Sequence, residues 1–315
     1  LGSVVHGDMN GVQITGLANL AGGTMRGVQL AGISNISGNN TVGLSAAGLV
    51  NITGDRTQGV IISGLTSIGG DNTSGLMISG FMNVTGNMAS GLHFSGAANI
   101  TGQSFGGLMA SGLLNVVGEH MNGLQIAGIA NITASKLNGV QIALCNYATQ
   151  ARGLQIGLVN YYKEDMKGFQ LGLVNANPDT RVQMMVYGGN ATPANIGVRF
   201  KNQLFYTILG IGSMYQGLND KFSASASYRA GLSFTLYKGL SISGDLGYQH
   251  IEAFDNKDEV IPKRLYALQA RANLEYQFTR KFGIFATGGY GLTRFYNKSS
   301  NYDKGAIIEA GIVLF

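Results

Sequence analysis

Tryptophan is absent from this chain, cysteine occurs once and proline three times in 315 residues. The single thiol, Cys145, can close no internal disulfide, and the apolar run from Val140 to Leu144 marks it as a buried structural residue. Charged residues make up only 12 %, too few beside 45 % hydrophobic residues for a disordered chain. No apolar run approaches the roughly twenty residues of a helical membrane span, so any crossing of a bilayer has to use strands. The net charge is +5, and no basic cluster is interleaved with aromatic residues, so no nucleic-acid partner is expected.

Reactive constellations are also missing. The histidines His6, His93, His120 and His250 are scattered without ligand-spaced partners, and aspartates are too sparse for calcium-binding coils. No glycine-rich loop leads into a helix, and no serine or cysteine stands in a nucleophile motif. The expectation is a non-enzymatic protein with no catalytic, cofactor-binding or metal-binding residues.

What the chain has instead is glycine, 49 of them. From Gly11 to Asn138 a sixteen-residue unit is written eight times without insertion or deletion, opening at Gly11, Gly27, Gly43, Gly59, Gly75, Gly91, Gly107 and Gly123. A fixed period of this length is the signature of a repeat architecture. The positions one, three, six and nine after the opening glycine are apolar, as in Val28, Leu30, Ile33 and Ile36. That spacing is neither helical nor a plain alternation. It fits short strands joined at glycine corners, hence one coil of a β-solenoid per unit, with the apolar positions buried against the coils above and below.

Eight residues after each opening glycine stands an asparagine: Asn19, Asn35, Asn51, Asn83, Asn99, Asn115 and Asn131, with Ser67 as the substitute. Stacked in register, these would form a ladder of side-chain amides. The second position after the glycine varies (Gln13, Ser45, Met77), which places His93 at the surface. On the same reading Val50, Ile61, Met77, Met82, Met109 and Leu114 form an exposed, nearly uncharged stripe, a candidate partner surface. A rival architecture reads each unit as an eleven-residue strand plus a turn in one wide barrel that passes solutes. Odd and even copies are indistinguishable, however, whereas alternating strands of a meander meet opposite membrane faces and should diverge.

After residue 138 the unit shortens: Gly139, Gly153 and Gly168 are spaced fourteen and fifteen apart, as three further coils lacking a corner residue. The charged segment from Lys163 to Lys167 reads as a solvated turn. The stretches Gly153-Leu-Gln-Ile-Gly-Leu-Val-Asn160 and Gly168-Phe-Gln-Leu-Gly-Leu-Val-Asn175 resemble the repeats of the bacterial surface-repeat proteins of Gram-negative envelopes. The likeness covers residues 11 to 176 and implies an envelope protein without assigned activity. The glycine-cornered coils are also similar to the heads of trimeric autotransporter adhesins, although no heptad stalk follows.

Composition changes near residue 180. Residues 1–180 hold 7 of the 28 Phe and Tyr and 13 of the 37 charged residues, which sets a repeat domain at 1–180 and a second domain at 181–315. The second domain alternates. Phe222, Ala224, Ala226, Tyr228, Ala230, Leu232, Phe234 and Leu236 share one face, opposed by Ser223, Ser225, Ser227, Arg229 and Ser233. Eight such segments, near 181–189, 194–201, 203–216, 222–236, 240–254, 264–278, 282–297 and 304–315, read as an antiparallel transmembrane β-barrel with alternating short turns and longer loops. Tyr237, Tyr266, Tyr276 and Tyr296 would sit at the membrane interfaces. Arg229, Asp245, Arg271, Glu275 and also Glu309 point inward and should pair with one another.

The fold expected is therefore all-β: an N-terminal solenoid of sixteen-residue coils followed by a C-terminal eight-stranded barrel. The function expected is an outer-membrane protein in contact with lipid, whose barrel anchors a binding or scaffolding surface for another envelope component. A solute-passing barrel and a surface adhesin are the alternatives. An even strand count favours a periplasmic solenoid.

Overall fold

The structure, a computed structural model, describes residues 1–213, 222–254, 264–297 and 300–315. The outer loops expected at 217–221 and 255–263 lie outside those residues. The described chain is strand and turn throughout, without a helix, and divides into two compact units, Leu1–Gly172 and Leu173–Phe315.

In the first unit the repeats up to Val117 each make a seven-residue strand and a four-residue strand, such as Met25–Ala31 and Ser34–Ser37, and the later coils run the two together into longer strands. Each pairs in parallel with its own counterpart one repeat on: Gly27 opposes Gly43 and Asn35 opposes Asn51. This parallel, in-register stacking is a β-solenoid, and it overturns the wide-barrel reading, which needs antiparallel neighbours. The eleven opening glycines from Gly11 to Gly168 all have φ between +108° and +147°. They are glycine for two reasons at once. The backbone is in the region L residues avoid, and a Cβ on Gly59 would lie 2.1 Å from the carbonyl oxygen of Gly43 in the coil below.

The shortened coils stay in the stack. Gly139, Gly153 and Gly168 align with Gly123, and register shifts at Thr133/Lys136 and Ala148/Gln150 absorb the missing residues. The charged segment 163–167 is not a turn. It belongs to the strand Val159–Leu171, where Asp165, Met166 and Lys167 pair with Gln150, Ala151 and Arg152.

The faces of the coil are the reverse of the expected ones. The apolar residues one, three, six and nine after the glycine do stack in rows, but the rows face outward. Ile33 is 44 % exposed, and Val28, Leu30 and Ile36 are half-buried. The interior is built instead from Gln, Asn, Ser, Thr, Ala and Met. Among the described residues of the solenoid, Ile61, Val117 and Leu137 are the buried branched aliphatics.

Several residue assignments change with that inversion. Ile61, Met77 and Met109, expected on an exposed stripe, occupy the inward second position and are 2 % exposed or less. Val50, Met82 and Leu114 do face outward, half-covered by their stacked neighbours. His93, expected at the surface, is buried between Met77 and Met109 in that inward row. Cys145, expected to be buried, is exposed, because it pairs with Ala130 in the outward row of the short strands.

The second unit contains a closed antiparallel barrel of eight strands: β1 (Arg181–Gly189), β2 (Ala194–Asn202), β3 (Phe205–Ser213), β4 (Ser223–Tyr237), β5 (Leu240–Ala253), β6 (Arg264–Thr279), β7 (Phe282–Phe295) and β8 (Asn301–Leu314). Closure is made by β1 against β8, with Met185 opposite Val313. Phe222, Leu232, Phe234 and Leu236 face outward, while Ser223, Ser225, Arg229 and Ser233 are buried inside. The alternation read from the sequence is therefore the alternation of the wall.

Candidate functional site

The solenoid's interior is held by two polar ladders. In the first, the Nδ2 of Asn19 donates to Oδ1 of Asn35 at 2.9 Å, Asn35 to Asn51 at 3.1 Å, and Asn83 to Asn99 at 2.8 Å. It runs on through Asn115, Asn131, Asn146 and Asn160. Each rung also donates to backbone carbonyls: Asn99 Nδ2 reaches Ala110 O in the next coil at 2.8 Å. The amide thus satisfies both its own side-chain partner and the bend that follows the opening glycine.

At Ser67 the ladder changes chemistry. Ser63, Ser67 and Ser79 bond to one another through hydroxyls at 2.8 to 3.0 Å, and Ser79 Oγ donates to Oδ1 of Asn83 at 2.6 Å. The second ladder escaped the sequence reading. Gln29 donates to Gln13, and Gln141, Gln155 and Gln170 each donate to the glutamine of the coil before, at 2.8 to 2.9 Å. Its signal was present as a recurring glutamine two residues after the opening glycine, read instead as a variable surface position.

Between the two glutamine runs sits His93. Its ring meets Phe105 edge-on at 4.9 Å, and its Nε2 is buried without a hydrogen-bond partner. Burial pushes the imidazole down to about 4 from its ordinary value, because the charged form would lose its water. The ring is a neutral interior residue. Among the described residues no three metal-ligating side chains converge.

The outside of the coil is the larger feature. From the first to the ninth position the outward side chains are mostly apolar or small: Leu65, Phe81, Leu113 and Ile129 at the corner are each about half exposed, flanked by rows containing Ile62, Ile78, Leu92 and Ile68. Charged residues gather on the remaining edge, where Asp55, Arg56, Asp71 and Glu119 stand. Corner amides are paired along the stack, as in Phe81 N to Leu65 O at 2.8 Å and Gly80 N to Ser63 O at 3.1 Å. The apolar arc therefore carries few free backbone donors.

The barrel interior is closed by ion pairs. Arg199 makes two bonds to the carboxylate of Glu275 at 2.5 and 2.9 Å, and Arg229 makes two to Asp245, both 2.8 Å. Arg271 takes Glu309 at 3.1 Å through two nitrogens, while Arg229 Nη1 lies 3.6 Å from the same glutamate. Tyr206 and Asn273 complete the group, each donating to Asp245 at 2.8 Å. The inward charges Arg229, Asp245, Arg271 and Glu275 are thus all paired. Arg199, which sequence reasoning passed over, is the partner that Glu275 required. A barrel of eight strands is just wide enough for side chains to fill, and these groups occupy that interior.

On the outer wall aromatic residues form two groups. Tyr248, Tyr266 and Tyr296 pack together at one end of the strands, and Tyr276, Phe278 and Phe282 at the other. Tyr276 lies ten residue steps along β6 from Tyr266.

No protein-family model matches the chain, and no curated protein matches it. Among solved structures, the N-terminal β-barrel domain of Pseudomonas aeruginosa OprF is similar at 16 % identity, with a TM-score of 0.29, over 42 % of this chain and 93 % of that one.

Proposed function

We propose that this is a non-enzymatic outer-membrane protein in which the barrel is the anchor and the solenoid a contact surface for the cell envelope. The observation that carries the reading is the barrel wall: apolar outside, closed by ion pairs inside, with an aromatic group near each end. Ten residues of strand at ~3.4 Å each, tilted by about 40°, span roughly 25 Å, the height of the apolar band of such barrels. The resemblance of the glycine repeats to Gram-negative surface-repeat proteins agrees with that location.

Short turns join β2 to β3, β4 to β5 and β6 to β7, at the end where β1 begins and β8 finishes. Short turns are periplasmic in barrels of this kind. We therefore assign that end, and the chain entering at Arg181, to the periplasm. The test is fractionation followed by protease treatment. The full chain should sediment with the outer membrane, and cleavage anywhere in residues 1–180 should require permeabilised cells. Recovery in the soluble fraction would overturn the anchor, and cleavage on intact cells would overturn the sidedness.

A further inference from the structure

The solenoid's aliphatic rows need an occupant, and the structure narrows its chemistry. The arc covers the outward positions of the long strand, the corner and the short strand, so one flat protein face would leave much of it in water. Leu, Ile and Val predominate in it, and beside Phe81 and the stacked Tyr147 and Tyr161 it has few of the Tyr, Trp and Arg anchors that dominate protein interfaces. Its corner amides are already bonded along the stack, so it offers a partner almost no hydrogen-bonding demands. The edge that breaks the arc carries both signs of charge, Asp55 and Asp71 beside Arg56, as a water- or headgroup-facing edge would. The aliphatic residues lie outside and the amides inside, the same inversion that the barrel wall shows.

We infer that the solenoid seats its aliphatic arc against phospholipid acyl chains, with the charged edge turned to water. The inference rests on the membrane reading above for its setting, and it adds a second lipid-contacting surface to the barrel. Apolar rows of this extent, left in water, mark a buried contact or an aggregation liability. Lipid satisfies all sides of the arc at once, as an interfacial apolar face does when it sinks into a leaflet.

The absence of tryptophan makes the test direct. Three single substitutions in the full-length protein, reconstituted in phosphatidylcholine nanodiscs, report three positions: Phe81→Trp on the arc, Gln103→Trp on the edge and Leu246→Trp on the outer barrel wall. Emission is read with ordinary lipid and with lipid brominated on its acyl chains. The expected result is quenching at Phe81→Trp as strong as at Leu246→Trp, with Gln103→Trp unaffected. Quenching at Leu246→Trp alone overturns this inference and leaves the barrel anchor intact; it would point to a protein or a second copy on the arc. Quenching at neither position overturns the membrane reading as well. Equal quenching at Phe81→Trp and Gln103→Trp overturns the oriented edge.

Discussion

At the scale of single residues, the interior of the solenoid makes its strongest demands at the opening glycines and at His93. Gly59→Val has to force a β-branched side chain into φ +132° with its Cβ 2.1 Å from a carbonyl oxygen. A cost of at least about 2 kcal/mol follows from the backbone term alone. Gly106 has open space around its Cβ position and no positive φ, so Gly106→Ala should leave the unfolding midpoint unchanged. Chemical denaturation of the two variants side by side reads the difference.

His93 gives the solenoid a pH dependence. Its imidazole titrates near 4 when folded and at the ordinary 6.5 when unfolded. Between those values the unfolded chain binds the extra proton, so stability is full above pH 6.5 and falls as pH drops toward 4. The loss is about 3 kcal/mol over that window. His93→Met, which copies the neighbouring coils at Met77 and Met109, should flatten the profile. An unchanged acid limb in that variant would show that the buried ring is not its cause. No sequence signal announced this burial, since a row that holds Gln, Ser, Ile, Met and His reads as a tolerant surface.

At the scale of elements, the amide ladders run along the solenoid in segments and the ion pairs gather inside the barrel. Ser67 is the one interruption between Asn19 and Asn131, and Ser67→Asn places an amide between Asn51 and Asn83. A gain of about 1 kcal/mol is expected if the new side chain joins both runs, measured as a shift in denaturation midpoint. In the barrel, Glu309→Gln leaves Arg271 without its carboxylate and removes the charge 3.6 Å from Arg229. Removing one member of such a buried pair costs about 3–5 kcal/mol. The variant's barrel should lose its resistance to unfolding in detergent at a lower temperature than the parent, and an unchanged temperature would contradict the pairing.

The two units differed in how much of this the sequence disclosed. In the barrel a period of two assigns faces, and the serine, arginine and asparagine side is inside because lipid takes the other. The strand ends were legible to within a few residues for the same reason. In the solenoid the spacing one, three, six and nine correctly identified residues that share rows, and the asparagines correctly identified a ladder. Spacing alone does not say which side of the row is the interior. Taking aliphatic for inside, as water-soluble coils require, put Ile61, Met77 and Met109 on the wrong face and hid the glutamine ladder.

At the scale of the whole molecule, both units carry large exposed apolar side chains on their outer faces, such as Leu65 and Phe81 on the solenoid and Leu246 and Ile308 on the barrel. An eight-stranded barrel is just wide enough for side chains to fill, and this one holds the ion pairs of Arg199, Arg229 and Arg271, so planar bilayers holding the protein should show no discrete conductance steps. The account rests on one claim above the rest: that sixteen-residue units stack in parallel register with their aliphatic corners outside. Phe81 N bonds to Leu65 O, so these two corner residues sit directly above one another. In a Cys145→Ser background, Leu65→Cys with Phe81→Cys should oxidise readily to a disulfide, because stacked strands bring Cα atoms to about 4.8 Å, within the range a disulfide spans. Leu65→Cys with Asn72→Cys, closer in sequence but on opposite sides of the coil, should stay reduced. The reverse pattern would contradict the stack.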